Sequence, residues 1–310
     1  MTIRIGRLGT RLATAAVTVL LAVGIAFLLS RVSGDPVRTM LGPSATDDQV
    51  TQVTHDLGLD RSLPVQYIAY LGGLVHGDLG TSITYNVPNY DLITERAGAS
   101  AELAATALLV AIAIGLPLGV AAAVREGTVW DRVLTATSVL GQSIPTFWLG
   151  LMLILIFAVT LGWLPAGQAG SAQAVVLPAI TLGLLPASQI ARLTRSNLVD
   201  SLGEQYVQAA RARGLSSRRV LFNYGLRNAL LPVITIVGLQ IGWLISGAVV
   251  VEYVFAWPGL GSLAATAVQS SDFPLVQAIV VFAAITFVVI NLLVDLLYGV
   301  IDPRIRAAHR

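Results

Sequence analysis

Between Arg132 and Arg192 the chain carries no charged residue. The hydrocarbon core of a bilayer takes about 20 apolar residues per helix, so this run is too long for one crossing and too apolar for a soluble surface. The whole chain shares the bias. Of its 310 residues, 55% are hydrophobic and 12% are charged, where a soluble domain carries about 25% charged residues. Mean hydropathy is +0.77. Disorder requires the opposite balance. The apolar runs are continuous and do not alternate, which selects helices over a closed barrel as the way to satisfy the backbone in lipid. The expected fold class is an all-α integral membrane protein.

Six transmembrane helices are expected. Leu12–Ser30 is the first and Leu103–Val124 the second. The charge-free run supplies the third and fourth, divided at Gly162–Ala174, where Pro165, Gly167 and Gly170 interrupt it. Asn228–Val251 is the fifth and Phe273–Val294 the sixth. The first span has a basic flank like that of a signal peptide. Its 19-residue length and the lack of a small-residue cleavage pattern before Arg31 predict that it is retained. The expected organisation is a cytoplasmic tail and first span over 1–30, an extracytoplasmic insertion over 31–102, and a membrane core over 103–310. The core includes a cytoplasmic connection at 192–227. Short amphipathic helices are expected inside the insertion at Asp47–Leu57 and Pro64–His76.

Arginines set the orientation. Fifteen of the nineteen basic residues fall in the N-terminal tail, the second-to-third connection, the 192–227 connection and the C-terminal tail. The other four (Arg31, Arg38, Arg61 and Arg96) lie in the acid-bearing insertion. The positive-inside rule then places both termini in the cytoplasm.

Two absences limit the chemistry. There is no cysteine, which excludes thiol catalysis, iron–sulfur clusters and cysteine zinc sites. There is also no lysine, so a phosphate-cradling G-x-x-x-x-G-K-[ST] loop is impossible and the chain cannot hydrolyse ATP by that route. His55 and His76 lie in the insertion and His309 in the tail, leaving none for a membrane proton relay. Glu252, Asp272 and Asp295 fall at span ends, where solvation or ion pairing is expected. No G-x-S-x-G motif or paired intramembrane aspartate supports a protease. Gly259-Leu260-Gly261 is expected to be a turn, since no βαβ unit surrounds it.

The 192–227 connection is the most informative segment. Glu204–Arg213 favours a helix and Gly214 is a natural stop for it. Ser216 is placed to cap a second helix beginning with Arg218 and Arg219. A helix–turn–helix at the membrane surface follows, with Ala209, Ala210 and Ala212 leaving room for close approach. On charge alone, a basic loop held at anionic headgroups would suffice.

The spacing points further. Gln208-Ala209-Ala210, with Gly214 four residues on, resembles the E-A-A-x-x-x-G loop of permeases in binding-protein-dependent ABC importers. Ala210-Arg211-Ala212-Arg213-Gly214-Leu215 followed by Leu226-Arg227-Asn228-Ala229-Leu230-Leu231-Pro232 resembles the dipeptide and oligopeptide (peptide/nickel) branch. So do Gly34-Asp35-Pro36, Leu57-Gly58-Leu59-Asp60, Gly77-Asp78-Leu79-Gly80, Asp295-Leu296-Leu297-Tyr298 and Asp302-Pro303-Arg304-Ile305-Arg306. These patches run from the first span to the tail. Gln208 departs from the family's glutamate.

The resemblance implies a type I importer permease fold in a bacterial cytoplasmic membrane. The chain would be a transport subunit and not an enzyme. It would hold no cofactor of its own, with ATP and magnesium on partner chains. Implied partners are a second homologous permease, two cytoplasmic ABC ATPase subunits, an extracytoplasmic solute-binding protein and lipid, with no nucleic acid. Tyr206, Gln208, Ala209, Ala210, Arg211, Arg213, Gly214 and Leu215 would form the coupling helix that meets the ATPase. The implied cargo is di- or oligopeptides, with nickel chelates, glutathione or another small solute as alternatives. Gln142, Ser143, Gln189 and Gln240 are candidates for the translocation path, near helix-interrupting prolines. A secondary transporter or channel is the rival from another class, and it would also use broken helices at mid-membrane.

Overall fold

In the computed structural model, residues 2–32, 36–42, 45–56, 58–167 and 169–301 are described. Gly34-Asp35, Leu57, the Asp302–Arg306 motif, His309 and the side chain of Asp295 lie outside the described residues. The helices are α1 (Thr2–Val32), α2 (Pro36–Leu41), α3 (Asp47–Asp56), α4 (Leu63–Val75), α5 (Asn89–Val124) and α6 (Val129–Ser143). They continue as α7 (Thr146–Leu153), α8 (Val176–Gly203), α9 (Gln205–Ala212), α10 (Ser217–Arg219), α11 (Arg227–Val254), α12 (Leu260–Gln269) and α13 (Phe273–Ile301). π-helical turns at Ile154–Thr160 and Val220–Leu226 extend α7 and join α10 to α11. The one β pairing among the described residues is the isolated Thr81–Pro88 bridge.

The chain divides into two compact units, Met1–Gly98 with Gly259–Val289 and Ala99–Pro258 with Ile290–Arg310. In the first, α4 lies against α1: Tyr67 donates to the Leu20 carbonyl at 3.1 Å, and its ring sits 5.3 Å from that of Phe27. The expected insertion helices are present as α3 and α4. A reciprocal capping box between Thr46 and Gln49 starts α3. Ile93, Leu263, Leu275 and Ile279 form the apolar core of this unit. Asp272 is fully buried and held by hydrogen bonds, where solvation or ion pairing was expected. One oxygen accepts from the Leu275 amide and starts α13, and the other accepts from Ser82 Oγ at 2.5 Å and the Thr84 amide at 3.0 Å.

In the second unit α8 is the central element. About 61% of its apolar window is buried, against 22–33% for the other three helices of full spanning length. It packs on α5 through small residues. A Cβ on Gly119 would lie 2.5 Å from the Ala191 carbonyl oxygen and one on Gly183 2.6 Å from that of Ala107. Gly115 approaches the Ala187 carbonyl in the same way. In lipid, where apolar burial gives helices little reason to associate, such backbone approach supplies the packing. Leu103, Leu177, Leu182, Leu244 and Trp257 build the larger core. Glu252, also expected at a solvated end, is fully buried and accepts from Ser100 Oγ at 2.6 Å.

By length and apolarity four helices qualify as spans: Asn89–Val124, Val176–Gly203, Ser217–Ile245 and Phe273–Val294. The pair Val129–Ser143 and Thr146–Thr160 makes a fifth if counted as one span, bent by 103°. The bend falls where Ile144, preceding Pro145, is forced to an extended ψ of 122°. In α1 the apolar stretch among the described residues is Ala13–Leu28, shorter than a full crossing. Two boundaries differ from expectation. At ~1.5 Å per residue, α5 is roughly 54 Å long, so its 36 residues begin well outside the apolar run. α8 continues through Arg192 and Arg195 to Gly203, so the expected connection begins as helix and not as loop.

Candidate functional site

The segment after α8 folds as a short helix and a sharp stop. α9 opens at Glu204, whose extended conformation (φ −67°, ψ 149°) breaks it from α8. It closes in a Schellman arrangement. The Gly214 amide donates to the Arg211 carbonyl at 2.9 Å, and that of Leu215 to the Ala210 carbonyl at 3.4 Å. Gly214 supplies the required left-handed residue, with φ +78°. A Cβ there would meet nothing within 4 Å, so the glycine answers to backbone conformation and not to crowding in this chain. Ser216 stands at the next helix start as expected but makes no side-chain cap; α10 runs on through the π turn into α11.

One face of α9 is fixed to the chain. Val207 and Ala210 are fully buried with Val220, and Leu215 and Tyr224 pack against them. At Ala210 the expected close approach is to Val220 of this chain, since it points inward. Ala209, Arg211, Ala212, Arg213 and Gly214 are exposed, together with Arg218 and Arg219. The outward face is therefore small and cationic. Arg213 bonds back to the Ala209 carbonyl at 3.2 Å.

Tyr206 fastens α9 at its other end. Ser201 Oγ donates to the Gly225 carbonyl at 3.0 Å, so it accepts from the Tyr206 hydroxyl at 2.8 Å. That hydroxyl accepts from Asn228 Nδ2 at 2.9 Å. The result is one relay, Asn228 to Tyr206 to Ser201 to Gly225, each bond polarising the next. It ties α9 to both α8 and α11. Gln208 likewise turns back, donating to the Gly203 carbonyl at the end of α8 at 3.0 Å. A glutamate there has no proton to donate and would set negative charge against a helix C-terminus. The departure from the family pattern thus has a local reason. An open cleft of about 570 Å³ lies beside α9, lined by Val124, Glu126, Val199, Arg211, Ser217 and Arg218 among others.

Further along α8, Arg195 grips Asp131 with two bonds of 2.5 and 2.7 Å. Asp131 is 4% exposed and also accepts from the Gly127 amide at 3.1 Å. This pair fixes the start of α6 to α8. The four path candidates do not form one cluster by direct bonds. Gln240 bonds to Gln189, while Gln142 accepts from Arg192 at 3.3 Å. Ser143 is exposed and bonds its own helix at Val139.

Sequence reasoning missed Ser201, Asn228, Val207 and the Asp131–Arg195 pair as parts of this assembly. Asn228 was legible as part of the Leu226–Pro232 patch. Asp131, which precedes Arg132 at the edge of the charge-free run, gave no local sign of its partner 64 residues away. Replacing Tyr206 by Phe removes two hydrogen bonds while keeping the ring. Because the hydroxyl is partly solvated, the expected cost is about 1–2 kcal/mol. It should appear as a lowered thermal midpoint of the purified chain in detergent, and an unchanged midpoint would show that the relay carries no load.

Comparison with known proteins bears on the whole chain. Residues 115–307 match the family described as binding-protein-dependent transport system inner membrane component, and residues 6–90 match its N-terminal counterpart. The glutathione transport system permease protein GsiC of Salmonella choleraesuis (strain SC-B67) is 43% identical, over 93% of this chain and 95% of its own. The dipeptide transport system permease protein DppB of Escherichia coli (strain K12) is 38% identical, over 89% of this chain and 91% of its own. A solved inward-facing structure of the MetNI methionine ABC transporter shares the fold with TM-score 0.59 at 18% identity, covering 68% of this chain and 96% of that one. The match removes the secondary-transporter reading. The chain belongs to the binding-protein-dependent transport system inner membrane component family, as a permease subunit of an ABC importer.

Proposed function

We propose that this permease carries di- or oligopeptides, or the tripeptide glutathione, inward across a bacterial cytoplasmic membrane by alternating access. The observation that carries the peptide class is near-full-length identity of 38–43% to permeases named for dipeptide and glutathione transport. Glutathione is favoured as a specific second reading by the higher of those identities. ATP and magnesium belong to two separate ATPase subunits, since this chain has no lysine for a P-loop. A second permease completes the path and an extracytoplasmic binding protein delivers the solute. α1 serves as the sixth span, with both termini in the cytoplasm.

α9 is the coupling element. Its inward face is locked by Val207, Ala210 and the Tyr206 relay, and its outward face offers small and cationic residues. A rigid helix of this kind transmits displacement from a docked ATPase into α8 and α11, to which Tyr206 ties it.

Purification of tagged chain from its native membrane should recover P-loop ATPases and a second permease; recovery of the chain alone or as a homomer would contradict the proposal. Gly214→Val keeps the space but forbids the left-handed residue, at about 1–2 kcal/mol. It should leave membrane insertion intact and reduce uptake by more than tenfold in the assembled importer. Uptake at the wild-type rate would remove α9 from the coupling role. For orientation, Tyr85→Cys in this cysteine-free chain should react with an impermeant thiol reagent from outside and Ser216→Cys only from inside. The reverse pattern would invert the topology.

A further inference from the structure

Arg192 is a charged side chain of α8 that the coupling assembly does not use. It lies roughly 24 Å along α8 from Val176 and roughly 17 Å short of Gly203, at ~1.5 Å per residue. α8 is long and apolar enough to span, and Arg192 lies toward its basic end, where the charge-free run stops. An exposed arginine at that end of a span is open to a solute path or a partner. Its neighbour one turn on, Arg195, is neutralised by Asp131 through two short bonds. Arg192 is exposed and, among the described residues, bonds only to a neutral amide, Gln142 Oε1. Among the described residues no carboxylate pairs with it.

The second observation concerns Gln142. Its oxygen must face Arg192, because a guanidinium can only donate. Its Nε2 is therefore turned away, and this nitrogen is buried with no acceptor among the described residues. The full positive charge of Arg192 is thus met by a neutral amide oxygen, and the Gln142 nitrogen has no acceptor among the described residues. Gln189 lies three residues before Arg192 on the same strip of α8 and bonds to Gln240, extending the polar strip toward α11. The cluster sits two residues before Ile144, where α6 breaks, so α6 does not continue past it as straight helix.

We propose that Arg192 and Gln142 form an oxyanion-binding station on the translocation path, which holds the additional carboxylate of an acidic solute, beyond the C-terminal one every peptide carries, on its way through. This deepens the reading above and rests on it. Arg192 donates a charge-assisted hydrogen bond to the carboxylate, while Gln142 Oε1 holds the guanidinium in place. The solute then leaves because the station is a single exposed cation and not an enclosed pocket. An anionic lipid phosphate would satisfy the same donors, and the test separates the two sources.

The whole importer with its binding protein is reconstituted in vesicles, and uptake of Ala-Glu, glutathione and Ala-Lys is measured for wild type, R192Q and R192K. R192Q should lower the ratio of acidic to basic peptide uptake about tenfold, the loss expected for a charge-assisted bond, and R192K should restore most of it. An equal fall for all three solutes would assign Arg192 a purely structural role and overturn the station. A ratio effect that vanishes in neutral phosphatidylcholine vesicles would assign the site to lipid, overturning it equally. A second measurement needs no transported solute. Ser143→Cys, beside Gln142, should react faster with a sulfonate thiol reagent than with a trimethylammonium one, and R192Q should abolish that preference. No reaction, or a preference indifferent to R192Q, overturns the station. If wild type takes up none of the three peptides, the peptide reading fails, and the Ser143→Cys result alone decides whether the site attracts anions.

Discussion

The backbone approach of α5 to α8 sets the geometry on which the rest depends. Gly115, Gly119 and Gly183 let the two helices meet with carbonyl oxygens where Cβ atoms would otherwise stand. Lipid tails are as apolar as leucine, so this van der Waals contact, together with interhelical hydrogen bonds, must hold the helices where hydrophobic burial cannot. With α8 fixed in this way, one rigid element carries Gln189 against Gln240, Arg192 against Gln142, Arg195 against Asp131, and Ser201 in the relay that fastens α9. The relay thereby joins α9 to the helix that carries the side chains proposed to line the path.

Charge is handled sparingly and in distinct ways. Asp272 and Glu252 are fully buried but hydrogen-bonded, and Asp272 starts a helix as it does so. Asp131 and Arg195 compensate each other, which makes either alone costly. The outward face of α9 keeps its arginines in the open, where charge is solvated. Arg192 fits none of these patterns, which is why it is singled out for function.

Much of this was legible in the residues. The apolar runs located the four helices of full spanning length, and Gly214 located the end of α9 with its left-handed turn. These are local signals, set by hydropathy and backbone sterics. What was not legible depends on partners distant in sequence. Arg192 and Arg195 read as the end of a span because nothing nearby in sequence shows that Asp131 and Gln142 receive them. Ala210 read only as a small residue open to close approach because its burial depends on Val220, across the turn. Asp272 read as solvated or ion-paired because Ser82, its partner, lies 190 residues away.

The account turns on α9 meeting a separate ATPase with its outward face. Ala209 is exposed on that face, and the chain has no native cysteine to confuse a crosslink. Ala209→Cys, treated with a short bifunctional reagent in intact membranes, should join this chain to a P-loop ATPase subunit, and ATP should change the yield. Val207→Cys, buried on the opposite face, should not crosslink. Failure of Ala209→Cys to reach any ATPase in membranes where uptake is active would contradict the coupling role of α9.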